Sequence, residues 1–71
     1  MKLSVFVKQK RSVSGLTQPE LAEKAGVGLR FVRELEQGKE TLRMDKVNQV
    51  LSLFGYKLGP LKSEQSATNN L

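Results

Sequence analysis

Cysteine and histidine are both absent from this 71-residue chain. Their absence removes disulfide staples, thiolate chemistry, imidazole bases and the usual zinc ligands together, so no metal or cofactor site is expected. No apolar run approaches the roughly 18 residues that cross a bilayer, so no membrane partner is expected. The opening MKLSVFVKQKRS lacks a long apolar core and a small-residue cleavage site, which argues against a secretory signal and for the cytoplasm. Catalytic machinery is missing as well. The serines have no histidine to activate them, and Gly26-Val27-Gly28 is a fragment of a glycine-rich loop without the lysine-serine ending of a phosphate cradle. The chain reads as a non-enzyme.

What is present is ordinary apolar content, 38%, and an excess of base: twelve Lys and Arg against seven Asp and Glu, a net charge of +5. A basic balance of this kind suits a polyanion, nucleic acid above all, although many small basic proteins bind none. The distribution says more than the total. Residues 1–15 hold Lys2, Lys8, Lys10 and Arg11 without an acid, while Glu20, Glu23, Glu34, Glu36 and Glu40 follow later. The length allows one domain, and a domain this small buries only about 60% of its unfolded surface, so a second subunit would add needed core.

Glycines at 15, 26, 28, 38, 55 and 59 divide the chain into short segments with apolar residues at helical intervals, which predicts an all-α domain. In the first segment Leu3, Phe6, Val7 and the stem of Lys10 share a face, Ser4 is the expected cap, and Gly15 the stop. Leu3, Val5 and Val7 also alternate, so a short strand is the competing reading there. The second start is sharper. Thr17-Gln18-Pro19-Glu20 combines a capping hydroxyl, a first-turn proline and a glutamate three residues on, a capping box that begins a helix at Gln18. Leu21, Ala22 and Ala25 line its inner face. After Gly26, a third helix places Val27, Phe31, Val32 and Leu35 inward and leaves Leu29, Arg30, Arg33 and Glu34 elsewhere, and Gly38 closes it.

Two short helices joined by a glycine turn, with small residues at their contact, form the pattern of a helix-turn-helix. In such a unit the second helix enters the major groove, where arginine grips guanine O6 and N7 with two hydrogen bonds. Arg30 and Arg33 lie one turn apart and are the candidate base readers, with Leu29 available to a thymine methyl. The plainer alternative is a solvated helix face with Arg30 paired to Glu34 at i+4.

GLTQPELAEKAGV followed by VRELEQGK resembles the Cro/cI-type (XRE) helix-turn-helix family over Val5 to about Tyr56. The resemblance implies a compact, lambda-repressor-like domain of four to five helices. It implies that Gln18, opening helix two, touches a phosphate and supports base reading, and that Leu29, Arg30 and Arg33 face the bases. It also implies a structural ion pair between Arg11 and Glu36. The sequence departs from the family at Gly28, where serine or threonine usually caps the recognition helix, and at Leu29, where a polar reader is frequent. Glycine is an acceptable cap without a side-chain acceptor. Phosphate contacts are assigned to Thr17, Gln18, Gly28, Lys39 and Arg43, flanking the groove, and plain solubility is the competing role for Lys39 and Arg43.

Met44, Val47, Val50, Leu51 and Phe54 recur at helical spacing before Gly55, giving a fourth helix expected to pack on the first and third. Residues 1–56 are thus the DNA-binding domain. Residues 56–61, YKLGPL, alternate and then meet proline, which suits an edge strand; Tyr56, Lys57 and Leu58 would pair across a two-fold homodimer, or the strand folds back on its own chain. Residues 62–71 are polar and expected to be disordered alone.

The string GKETLRMDKV, the VLSLFG helix end and the short strand more narrowly resemble HipB-type antitoxins. That resemblance implies an autoregulating repressor of double-stranded operator DNA with a HipA-like serine/threonine kinase toxin as partner. A stand-alone phage-type or metabolic regulator, and a protein-binding module without specific DNA affinity, are the alternatives.

Overall fold

A computed structural model describes residues 1–63 as four helices: α1 (Leu3–Val13), α2 (Gln18–Ala25), α3 (Leu29–Glu36) and α4 (Met44–Leu53). At the first segment helix prevails over strand. The i, i+3, i+4 spacing buries Val7 fully and packs Leu3 and Phe6 around it, whereas Val5 is left 48% exposed. A strand would have buried Leu3, Val5 and Val7 on one face. The expected Ser4 cap is displaced: α1 already begins at Leu3, Lys2 occupies the N-cap position, and no side chain caps it. Ser4 therefore lies inside the first turn.

The capping box at α2 forms in full. Thr17 Oγ1 accepts from the Glu20 amide at 3.2 Å, and Glu20 Oε1 accepts from the Thr17 amide at 2.8 Å. Two amides that the helix itself cannot satisfy are thereby bonded. The backbone bond from Thr17 lowers the Glu20 carboxyl below its ordinary range, aided by the hydroxyl of the same residue.

α2 is the centre of the domain, packed against both α3 and α4, while α1 packs against α3. The shared core is Val7, Leu21, Ala22, Val32, Leu35, Val47, Val50 and Leu51. α4 leans mainly on α2, a neighbour not expected for it, and more weakly on α1 and α3. One expectation for α4 is corrected here. Met44, expected in the core, is 70% exposed. As the first helical residue its side chain tilts back beyond the helix start and away from the core.

Between α2 and α3 the chain turns on Gly26, whose φ of 75° lies in the left-handed region that a side chain strains. The amides of Gly26 and Val27 bond back to Glu23 and Ala22 at 3.3 and 3.0 Å. Gln49 of α4 then donates its Nε2 to the carbonyls of Ala25 and Gly26, each at 3.3 Å. The turn is held from both sides.

Residues 56–61, expected as a strand, run as irregular chain. No strand occurs among the described residues, so a single chain offers no edge to pair with. Its own packing fixes the segment instead. The Tyr56 ring stands edge-on to Phe6 at 4.8 Å, Lys10 Nζ lies 5.5 Å from the Phe6 and 5.2 Å from the Tyr56 ring centre, and the Leu58 amide donates to Asn48 Oδ1 at 2.7 Å. The tail expected over 62–71 falls almost entirely outside the described residues.

Candidate nucleic-acid interface

α3 is amphipathic in a way that fixes its orientation. Val32, Leu35 and Glu36 are buried, and Arg30 and Arg33, one turn apart, are exposed on the opposite side. The Arg30 side chain is 91% exposed. Leu29, expected to point outward, is half-buried and packed against the core, so only part of its side chain faces solvent. Gly28 is the N-cap of α3 in extended conformation and contributes no side-chain bond. The first amides of α3 are thus uncapped by any side chain, and such amides favour an anion.

The inner side of α3 ends on a polar cluster that ties three helices together. Arg11 of α1 donates through Nε to Glu36 Oε2 at 2.6 Å and through Nη2 to Oε1 at 3.0 Å, and its Nη1 reaches the Leu16 carbonyl at 3.0 Å. Gln18 of α2 donates Nε2 to Glu36 Oε1 at 3.0 Å. Burial would push the Glu36 carboxyl up, but hydrogen bonds from Arg11 and Gln18 and the nearby positive charges outweigh it and hold the group below the usual glutamate range. The same hydrogen bond to Glu36 raises the Arg11 guanidinium against the opposing effect of its own burial. Gln18, assigned to DNA by resemblance, thus has its amide nitrogen engaged inside the protein. This bond ties the start of α2 to the end of α3.

Three of the remaining assigned cations, Arg30, Lys39 and Arg43, have local partners. Arg30 Nε lies 3.4 Å from Glu34 Oε2, and Lys39 Nζ lies 3.4 Å from the same oxygen. Arg43 grips Asp45 with Nη2 at 2.7 Å and Nε at 3.1 Å, and this pairing lowers the Asp45 carboxyl. Such exposed pairs are weak and open readily to a phosphate. Among the described residues Arg33 makes no ion pair. The Thr17 hydroxyl accepts from Glu20, which leaves its proton for an outside acceptor.

Sequence reasoning paired Arg30 with Glu34 by spacing but missed Lys39 as the second partner of that carboxylate. The missing signal is the helix end: the Lys39 amide bonds back to the Glu34 carbonyl at 3.0 Å, which folds the lysine over the last turn. Gln49 and Asn48 were also missed, since nothing local in the sequence announces a side chain bonding to a loop more than twenty residues away or to a terminal segment.

The helix-turn-helix family model matches residues 7–61. The chain is also 47% identical over 53 residues to an uncharacterized HTH-type transcriptional regulator, y4mF, of Sinorhizobium fredii (strain NBRC 101917 / NGR234), a match covering 75% of this chain and 70% of the relative. Among the described residues no helix is long and apolar enough to cross a membrane. With the two-helix unit, the outward arginines and both likenesses in agreement, the chain belongs to the helix-turn-helix family.

Proposed function

We propose that this chain is a sequence-specific DNA-binding transcriptional repressor that acts as a homodimer on operator DNA. The observation that carries the reading is the polarity of α3: one face locked by Val32, Leu35 and the Arg11-Glu36-Gln18 cluster, the other presenting Arg30 and Arg33 to solvent. A helix so anchored can enter the major groove as a rigid body. Arg30 and Arg33 then donate to guanine O6 and N7, and the exposed part of Leu29 meets a thymine methyl.

Thr17, the first amides after Gly28, Lys39 and Arg43 flank that helix and take phosphates, with Lys39 and Arg43 exchanging Glu34 and Asp45 for DNA oxygens. Gln18 acts mainly by holding Glu36, and its carbonyl end is the part left to the DNA side. Exposed Tyr56 and Leu61 give residues 56–61 apolar surface to bury, so side-chain contact of this segment with its copy across a two-fold axis is the dimer contact we favour. Half-sites would then recur roughly 34 Å apart or at a multiple.

The narrower reading is an autoregulating antitoxin that also neutralises a HipA-like kinase toxin. It is supported by the likeness of residues 38–61 to HipB-type antitoxins.

Fluorescence anisotropy on the chain's own upstream promoter and on a scrambled duplex tests the repressor reading. Promoter binding tighter by about a hundredfold or more supports it. With some six phosphates neutralised per dimer, affinity falls about a thousandfold between roughly 50 and 200 mM salt. Equal, weak binding to both duplexes contradicts it.

A further inference from the structure

The outer surface of α3 carries one acid among its cations. Glu34 is 25% exposed, deeper than Arg30 at 91% and Lys39 at 46%, and a single oxygen, Oε2, stands 3.4 Å from both cationic groups. Two features of the backbone fix the arrangement. Arg30 and Glu34 are one turn apart on the same helix face. Lys39 is brought back by its own amide, bonded to the Glu34 carbonyl at 3.0 Å, as the chain leaves α3 through Gly38.

We infer that Glu34 is a specificity-determining residue, which positions Arg30 for base contact and suppresses binding to DNA of the wrong sequence. The inference rests on α3 being the groove-entering helix. Glu34 meets Arg30 at Nε. An end-on bidentate guanine contact uses the two Nη groups, so a pairing at Nε leaves both of them for O6 and N7 and disfavours the side-on alternative. Meanwhile the carboxylate offsets two of the cations that would otherwise cling to any phosphate backbone. Every duplex meets that negative charge. Only a duplex with guanine opposite Arg30 recovers the loss through the oriented fork.

Exposed pairs at this distance contribute little to folding, so Glu34→Gln keeps the fold and removes the charge. Anisotropy with the promoter and scrambled duplexes, for wild type, Glu34→Gln, Arg30→Ala and the double variant, reads the effect directly. Glu34→Gln should bind the scrambled duplex about fivefold tighter while gaining nothing on the promoter, so that discrimination falls by the same factor. In the Arg30→Ala background Glu34→Gln should leave discrimination unchanged. An equal gain on both duplexes, or a loss of discrimination that persists without Arg30, overturns the inference. A wild-type chain that does not discriminate at all overturns the repressor reading and this inference with it; a discriminating wild type whose ratio Glu34→Gln leaves intact overturns this inference alone.

Discussion

Arg11 of α1 and Glu36 at the end of α3 form a two-point ion pair, Nε to Oε2 at 2.6 Å and Nη2 to Oε1 at 3.0 Å, with side-chain exposures of 18% and 2%. A carboxylate that deep is tolerated only while its oxygens are bonded. Arg11→Ala is therefore expected to destabilise the fold by about 2 to 3 kcal/mol, and the paired change Arg11→Met with Glu36→Leu by less than the single one, because no orphaned charge is left behind. Urea unfolding of the three proteins checks the order. A double variant no more stable than Arg11→Ala would contradict it.

Acid should loosen the same cluster. The Glu36 carboxyl is held below its ordinary range when folded, so its contribution to stability is present above the unfolded value of about 4.3 and is lost as pH falls through the lower folded value. Glu20 and Asp45 are shifted in the same direction and add to the slope. Thermal melts between neutral pH and pH 3 should show Tm dropping most steeply below about pH 4.3, with a shallower drop in Glu36→Gln. An identical pH profile in that variant would remove Glu36 from the account.

The start of α2 offers a local test. Thr17→Ala removes the acceptor of the Glu20 amide and should cost about 1 kcal/mol, with no effect on the contacts at the far end of the helix. Amide exchange would accelerate at Glu20 and not at Ala25.

Gly28 and Gly26 lie two residues apart and should respond oppositely to serine. A Cβ at Gly28 meets nothing within 4 Å, and its φ of −76° suits any residue, so Gly28→Ser supplies the missing α3 cap and should stabilise by about 0.3 kcal/mol. Gly26 has φ of 75° and Gln49 Nε2 at 3.5 Å from the added carbon, so Gly26→Ser should destabilise by about 1 kcal/mol. Thermal melts that rank the two the other way would show the turn to be misassigned.

How far this was legible in the sequence depends on how local each determinant is. The α2 start could be read because hydroxyl, proline and glutamate all act within one turn at Thr17, Pro19 and Glu20. The helix ends could be read because Gly15, Gly26, Gly38 and Gly55 all adopt positive φ, which the sequence announces by the residue type itself. Met44 was misplaced because helical spacing identifies a stripe and not where the helix begins. That α4 leans most on α2 is not legible, because periodicity shows that a face is buried, not what covers it. At the interface, Arg30, Arg33 and Lys39 are visible as cations, but Glu34 as the common partner of Arg30 and Lys39 depends on the path of the chain after α3. Gln49 bonding to the Ala25 and Gly26 carbonyls is a contact across 23 or 24 residues that no local pattern encodes.

The central claim is that α3 reads guanine in the major groove through Arg30 and Arg33. Guanine N7 methylation protection on the chain's own promoter measures that contact at the atom concerned. The account predicts protected guanines in two half-sites, with protection lost in Arg30→Ala and Arg33→Ala while the folded state is retained. Tight, promoter-specific binding with every N7 left reactive, or protection unaffected by either substitution, would contradict it.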